Sequence, residues 1–163
     1  VVAGERVGVF GCGGLGLSAV IVAAQAGAHV TAVDRSPDAL EFARRLGATD
    51  AGTTMPSDLQ VALECSGHPA LVDAALRSLR RRGRHVQVGL VPGGAHTAMD
   101  VAIARELDVL GSHGMPARDY PELLRTLPID AVASMIARRE TLEGAQHALD
   151  ALGDAAGVTI LHP

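Results

Sequence analysis

Residues 11–16 read GCGGLG, a G-x-G-x-x-G pattern, and this pattern decides the fold of the chain. The short apolar stretch Arg6–Phe10 comes directly before it, and a longer apolar stretch, Leu15–Ala26, follows it. A short valine-rich run is typical of a buried strand, and a long run of small apolar residues is typical of a buried helix. The sequence therefore predicts a strand that turns sharply into a helix.

The glycines of this pattern have separate physical roles. Gly11 permits the tight turn, Gly13 lets the main chain approach a diphosphate, and Gly16 lets the helix pack closely on the sheet. The free N–H groups of the first helical turn, which begins near Gly14 and Leu15, point at the anion, and the helix dipole favours its charge. We therefore predict that these five residues bind the pyrophosphate of a dinucleotide.

A carboxylate ends the next predicted strand, His29–Asp34. Asp34 lies 34 − 11 = 23 residues after Gly11, close to the ~20 expected for the acid that binds ribose hydroxyls. A 2′-phosphate there would meet a like charge, and at about 4 Å and an effective dielectric of about 20 the repulsion is about 4 kcal/mol before screening. The sequence therefore predicts NAD rather than NADP. Arg35 is expected to offset part of this repulsion, to contact the adenine, or to be an ordinary surface charge.

Strands and helices alternate along the rest of the chain. Strands are predicted at Val61–Cys65, His85–Gly89 and Asp108–Gly111, and a helix at Ala70–Leu79 whose C-terminal end carries Arg80–Arg82. This alternation predicts an α/β fold, a Rossmann doubly wound parallel sheet with helices on both faces. Ligands bind beyond the carboxyl ends of such strands. The further residues expected to line this crevice are Cys65, Ser66, Val88, Gly89, Leu90 and Ser112.

The pattern changes towards the end of the chain. Residues 1–127 are predicted to form the dinucleotide-binding domain, and residues 128–163 a separate C-terminal segment. A helix is expected from Thr141 to about Leu152, and a closing strand at Val158–Leu161. The pattern does not assign this segment a place in the sheet.

Composition limits the partners and the setting. A net charge of −4 and a pI of about 5.9 argue against nucleic acid or an anionic membrane as a partner, because either would need a basic face. The longest apolar stretch, Leu15–Ala24, is too short to span a bilayer. Cys12 and Cys65 have no zinc-ligand spacing and form no disulfide framework, so a reducing, cytoplasmic setting is expected. The chain begins at Val1 without methionine and is expected to be part of a longer protein.

No Ser-His-Asp or Cys-His set can be argued from the spacing of these residue types. The seven histidines also form no metal-ligand pattern. We therefore predict neither a catalytic residue nor a metal ligand within this chain.

Taken together, the residues resemble the cofactor-binding domain of the zinc-dependent, medium-chain alcohol dehydrogenases. Beyond the glycine pattern, the resemblance rests on the blocks Gly4–Val7, Ala26–Ala28, Val33–Arg35, Leu46–Asp50, Glu64–Gly67, Val88–Leu90 and Leu110–Ser112. It implies that the chain binds NAD(H), and that an intact parent transfers hydride between nicotinamide and a small alcohol, aldehyde or ketone.

The resemblance also concerns parts that this chain does not contain. It implies an N-terminal catalytic domain whose zinc acts as a Lewis acid on the substrate oxygen, and towards which residues 128–163 return. It implies a homodimer formed through the edge strand of this domain. Family members often carry Lys or Arg after the glycine of the final strand, where it can meet the pyrophosphate, but here Gly157 is followed by Val158.

Three other functions stay open at this point. The chain could be a freestanding nucleotide-binding or sensing module without chemistry, which zinc-ligand motifs upstream would argue against. It could be a methyltransferase, since those enzymes also use a glycine-rich loop and an acid after the second strand, and competition between NADH and S-adenosylmethionine would separate the two. It could also belong to a zinc-free quinone or enoyl reductase.

Overall fold

The computed structural model describes residues 1–94, 97–151 and 156–163. The strands are β1 Arg6–Phe10, β2 His29–Val33, β3 Asp50–Gly52, β4 Leu59–Glu64, β5 Leu79–Gln87, β6 Asp108–Gly111, β7 Ile136–Thr141 and β8 Val158–His162. The helices are α1 Gly14–Gln25, α2 Pro37–Arg45, α3 Pro69–Ser78, α4 Met99–Ala104, α5 Tyr120–Thr126, α6 Ile129–Ser134 and α7 Ala145–Asp150, with a 3₁₀ turn at Ala117–Asp119.

Six strands form one parallel sheet in the order β3-β2-β1-β4-β5-β6. The chain runs outward from β1 in one direction as far as β3, and then crosses back to β4 on the other side of β1. The predicted doubly wound parallel sheet is therefore confirmed. The strand order reverses between β1 and β4, and in such sheets this switch point is where the ligand crevice lies.

Aliphatic side chains cover both faces of the sheet. On one face, Val7 and Val9 of β1 pack with Leu17, Val20 and Ile21 of α1. The opposite face is packed separately, around Phe10 of β1 and the buried side chains of β4 and α3, which include Leu59, Ala62 and Ala75. Only 2% of the residues are aromatic. Small aliphatic side chains fill the core instead, and they let the helices lie close to the strands.

The two helices that follow β1 and β2 begin in different ways. Ser36 caps α2, where its hydroxyl accepts a hydrogen bond from the amide of Ala39 at 3.3 Å, and Pro37 occupies the first turn. Gly13 precedes α1, and none of the side chains in residues 1–94, 97–151 and 156–163 caps this helix. This contrast between α2 and α1 matters for the site.

Strand β5 begins earlier than the sequence predicts. Helix α3 ends at Ser78, so Arg80–Arg82 lie in β5 and not at the end of the helix, and that prediction is wrong. Glu106 pairs with both Arg81 and Arg82. Glu106 lies in the turn after α4, 24 residues from Arg82. A partner so distant cannot be recognised from the local charge pattern, which favours the helix-end interpretation.

The C-terminal segment forms a second small sheet of two parallel strands, β7 and β8. Thr141, predicted to begin a helix, ends β7 instead, and the helix begins at Ala145. The predicted end of that helix, Leu152, lies outside the described residues. Met135, just before β7, is only 4% exposed and packs in the core beside α1 and α2, so this segment rests on the main sheet's own core.

None of the helices within residues 1–94, 97–151 and 156–163 combines the length and the apolar character needed to cross a bilayer.

Candidate functional site

A crevice opens where β1, β2 and β4 end. Parallel pairing places Phe10 of β1 beside Val33 of β2 and Glu64 of β4, so the loops that leave these strands meet at one edge. The cavity between them has a volume of about 550 Å³, the size of pockets that hold small ligands. It is lined by Gly11, Val33, Asp34, Arg35, Thr53, Met55, Ser66, His68, Ala70 and Leu71.

The first turn of α1 faces open space. No side chain among the described residues caps this helix, and its first turn contains no acidic residue. A Cβ placed on Gly13 would meet no protein atom within 4 Å. The N-terminal amides of a helix need acceptors and carry a positive dipole, so this end of α1 is suited to an anion that reaches it past Gly13.

Gly11 and Gly16 are needed for a different reason, which is contact within the protein. Gly11 has a φ of +87°, and a Cβ there would lie 2.6 Å from the Cβ of Ser66. A Cβ on Gly16 would lie 1.8 Å from the carbonyl oxygen of Gly11. These two glycines let the turn, the helix and the loop after β4 pack together, whereas Gly13 leaves room for something outside the protein.

The carboxylate of Asp34 ties the glycine-rich turn to the end of β2. One oxygen, Oδ2, accepts a hydrogen bond from the amide of Cys12 at 2.7 Å, and the other, Oδ1, accepts from the amide of Ser36 at 2.8 Å. Each carboxylate oxygen can accept more than one hydrogen bond. The group therefore stays able to accept from ribose hydroxyls in the cavity that it lines.

The loops after β4 and β5 are in main-chain contact. Gly67 has a φ of +69°, and a Cβ there would lie 1.9 Å from the carbonyl oxygen of Leu90. A Cβ on Gly89 would lie 2.2 Å from the nitrogen of Gly67. The predicted residues on these two loops thus belong to one unit, and the buried carboxylate of Glu64 lies beneath it.

The structure divides the predicted site residues between three places. Gly11, Asp34, Arg35 and Ser66 line the cavity. The start of α1 holds Gly13, Gly14, Leu15 and Gly16. Around the ends of β4, β5 and β6, outside the cavity lining, lie Cys65, Val88, Gly89, Leu90 and Ser112.

Several cavity residues are absent from the sequence prediction. Thr53 and Met55 follow β3, which the sequence did not reveal because three residues are too few to show a period. His68 caps α3, where its Nδ1 accepts from the amide of Ala70 at 3.3 Å, so that Nε2 carries the proton in the neutral ring. The sequence could have indicated His68, because it precedes Pro69 and an apolar run and so marks the start of a helix. A helix that begins just after a strand has its N-terminus at the crevice.

Both thiols are held in their protonated form. Burial raises the pKa of Cys12 to about 12, with a smaller contribution from the Asp34 carboxylate, and burial raises the pKa of Cys65 to about 12 as well. Because the thiolate is the reactive form, neither cysteine is suited to nucleophilic chemistry at neutral pH.

The described residues contain no cluster of potential metal ligands. No group of three or more His, Cys, Asp or Glu side chains there could hold a metal ion.

The chain is similar to known proteins over most of its length. Residues 14–129 match the family described as zinc-binding dehydrogenase. Sorbitol dehydrogenase of Bacillus subtilis (strain 168) is 32% identical over 168 residues, an alignment that covers 93% of this chain and 46% of that protein.

Solved structures agree in fold. Acetophenone reductase from Geotrichum candidum NBRC 4597, in complex with NAD, gives a TM-score of 0.88 at 23% identity, and covers 100% of this chain and 50% of that chain. A Sinorhizobium meliloti 1021 protein bound to NADP gives 0.84 at 25% identity, with 100% and 54% covered. This chain thus spans about half the length of these relatives.

Proposed function

Because this chain belongs to the zinc-binding dehydrogenase family, we propose that it is the NAD(H)-binding domain of an alcohol dehydrogenase-like oxidoreductase. The intact parent transfers hydride between nicotinamide and a small alcohol, aldehyde or ketone. The observation that carries this proposal is the uncapped start of α1, open to solvent at Gly13 and next to the Asp34 carboxylate. The chain's own part is to bind and orient the cofactor, and we assign any catalytic zinc to a domain outside this chain.

In the proposed complex the diphosphate, the adenosine and the nicotinamide of the cofactor contact different parts of the crevice. The amides of Gly14 and Leu15 bind the diphosphate, since helix N-terminal amides are suited to phosphate. Asp34 accepts hydrogen bonds from the adenosine ribose. The adenine enters the cavity that also contains Arg35 and His68. The bound nicotinamide supplies or accepts the hydride, and the loops after β4 and β5 orient it towards the catalytic domain of the parent.

We propose NAD as the preferred cofactor, and Asp34 as the reason. The family does not decide this point, since one related structure contains NAD and another contains NADP. A carboxylate at the ribose position accepts from two hydroxyls but repels a 2′-phosphate. The proposal is supported by the location of Asp34 in the cavity lining, with its oxygens fixed by two main-chain amides.

Isothermal titration calorimetry of this chain with NADH, NADPH and S-adenosylmethionine tests the proposal. We expect measurable NADH affinity, weaker NADPH affinity by about tenfold or more, and no binding of S-adenosylmethionine. We also expect no alcohol oxidation by the chain alone, because the described residues hold no metal-ligand cluster. Binding heat from S-adenosylmethionine without binding heat from NADH would contradict the proposal and would indicate a methyltransferase.

Val158 provides a gain-of-affinity prediction. Its Cγ2 atom would lie 3.4 Å from a Cβ on Gly14, so the side chain lies beside the proposed diphosphate. Val158→Arg places a cation there, and we expect NADH to bind about fivefold more tightly at low salt, about 1 kcal/mol. Titrations at several salt concentrations check this, because a new charge contact must weaken as salt screens it. Ile160→Arg, further along the same strand, is the matched control, and an equal gain there would remove the site-specific explanation.

We further propose a homodimer formed through β6. In the part of the chain that the structure describes, β6 pairs on one side only, with β5, and its Val109 and Leu110 are each 49% exposed. An exposed apolar edge strand is suited to pairing with a second copy. Sedimentation equilibrium is expected to show a dimer that Leu110→Lys weakens about tenfold or more. Val22→Lys on α1, where the side chain is also 49% exposed, should leave the dimer unchanged, and equal effects would refute the edge-strand interface.

The remaining features of the intact parent are proposals of the same kind. Residues 128–163 return towards its catalytic domain, which is supported by the exposed apolar side chains of Ile129, Leu142 and Leu149. A cytoplasmic location is supported by two cysteines that are both unpaired. Limited proteolysis and fractionation of the parent protein check these two points.

A further inference from the structure

Glu64 is a fully buried carboxylate at the end of the central strand β4, with 0% of its surface exposed. Its oxygens accept hydrogen bonds from the amide of Ser66 at 2.9 Å and from the amide of Gly67 at 3.0 Å. The hydroxyl of Ser66 donates to the same carboxylate. Glu64 therefore fixes the main chain of the loop that leaves β4.

The same residue also holds the end of β5. The side-chain amide of Gln87 donates to the carboxylate of Glu64 and, at 2.8 Å, to the carbonyl oxygen of Gly89. The main-chain carbonyl of Glu64 accepts from the amides of Val88 and Gly89, each at 2.9 Å. One residue thus connects the two loops whose main chains touch at Gly67 and Gly89.

Gln87 has a fixed orientation in this network. Because its nitrogen donates to Glu64, its Oε1 faces Nε2 of the buried His85 at 3.0 Å and accepts a hydrogen bond from the Nε2–H group of the neutral ring. Burial lowers the pKa of His85, which keeps that ring neutral at physiological pH. The hydrogen bonds therefore run in one direction, from His85 through Gln87 to the carboxylate.

The charge of Glu64 is stabilised by donors and not by a cation. Among the described ranges, no Lys, Arg or His side chain forms a salt bridge with it. A buried carboxylate without a partner is costly, but main-chain amides, a hydroxyl and an amide group together compensate. A neutral amide at position 64 would bring an N–H group against these donors.

We propose that Glu64 is a positioning residue for the cofactor. Its carboxylate holds the loops after β4 and β5 in the one arrangement in which Ser66 lies against Gly11 and lines the cavity. It does not touch the cofactor, and it acts through the hydrogen bonds that these loops make to it. This inference rests on the proposed function, since the loops matter only if the crevice binds NAD(H).

The test exchanges the carboxylate and the amide of the pair. NADH affinity of the chain is measured by cofactor fluorescence for the variants Glu64→Gln, Gln87→Glu and the double variant. We expect each single change to weaken NADH binding about tenfold or more, because one leaves donors facing donors and the other buries two adjacent carboxylates. The double variant restores one carboxylate and one amide, and the carboxylate at position 87 can accept from both the amide at position 64 and the ring of His85. It is expected to bind NADH more tightly than the weaker-binding single variant but to stay below the original affinity, because the amide of Gly67 and the carbonyl of Gly89 each lose a partner.

A matched core variant separates positioning from general stability. Leu76→Val, a change at a buried side chain of α3, should lower the thermal midpoint and leave NADH affinity within twofold of the original chain. Unchanged affinity in Glu64→Gln, or a double variant no better than the weaker single variant, would overturn the inference. If the original chain itself fails to bind NADH, it is the proposed function that fails.

Discussion

Gly13→Ala is expected to weaken NADH binding a hundredfold or more, about 2.7 kcal/mol, while the domain stays folded. The main chain at Gly13 has φ −74° and ψ −168°, a conformation open to alanine, and the new methyl group meets no protein atom within 4 Å. Alanine is a poorer helix-capping residue than glycine, so we expect a stability loss of about 1 kcal/mol or less. The methyl group instead occupies the space through which the diphosphate would approach the first turn of α1.

Gly16→Ala is the matched control, because it should divide the two effects in the opposite way. The new Cβ would lie 1.8 Å from the carbonyl oxygen of Gly11, a main-chain atom that cannot move without shifting the turn. We expect this change to destabilise the domain by about 3 kcal/mol, at the upper end of overpacking effects. Denaturant unfolding and NADH titration of both variants check the pair. Equal NADH affinity in Gly13→Ala and the original chain would show that the diphosphate does not pass this glycine.

Asp34→Ser is expected to remove most of the preference for NADH over NADPH. Two unit charges about 4 Å apart, at an effective dielectric of about 20, repel by about 4 kcal/mol before screening, so screening by salt leaves a preference on the order of tens to hundreds of fold. The variant loses this repulsion. It also loses the hydrogen bonds from the amides of Cys12 and Ser36, so we expect NADH binding itself to weaken about tenfold while NADPH binding improves.

Asp38→Ser is the control for a general effect of charge. Asp38 is exposed in the first turn of α2, four residues after Asp34, so its removal changes the net charge equally without touching the cavity. Paired titrations with NADH and NADPH at one salt concentration give the ratio of affinities for each variant. A ratio that Asp34→Ser leaves unchanged, or that Asp38→Ser changes as much, would contradict the role assigned to Asp34.

The predictable part of the site is its most local part. The glycine pattern, the turn and α1 occupy one continuous stretch, and each glycine there obeys a steric requirement that can be stated from spacing alone. Asp34 follows because β2 must lie beside β1 in such a fold, so that the end of β2 is fixed relative to the turn. The structure adds the hydrogen bond from the amide of Cys12, which joins the two parts directly.

The rest depends on contacts between distant segments. Thr53 and Met55 enter the cavity only because β3 pairs with β2, and a strand as short as Asp50–Gly52 has no visible period. The early start of β5 brings Arg81 and Arg82 to Glu106, which follows another helix. Glu64 stood in an apolar strand as an unexplained acid, and its donors Ser66, Gly67 and Gln87 become evident only when the ends of β4 and β5 are side by side.

The most direct measurement is a crystal structure of this chain soaked in NADH. The proposed site predicts diphosphate oxygens within hydrogen-bond distance of the amides of Gly14 and Leu15, beside Gly13, and the adenosine ribose hydroxyls on the carboxylate of Asp34. Density for NADH at another surface, or a diphosphate that leaves the start of α1 uncovered, would contradict it.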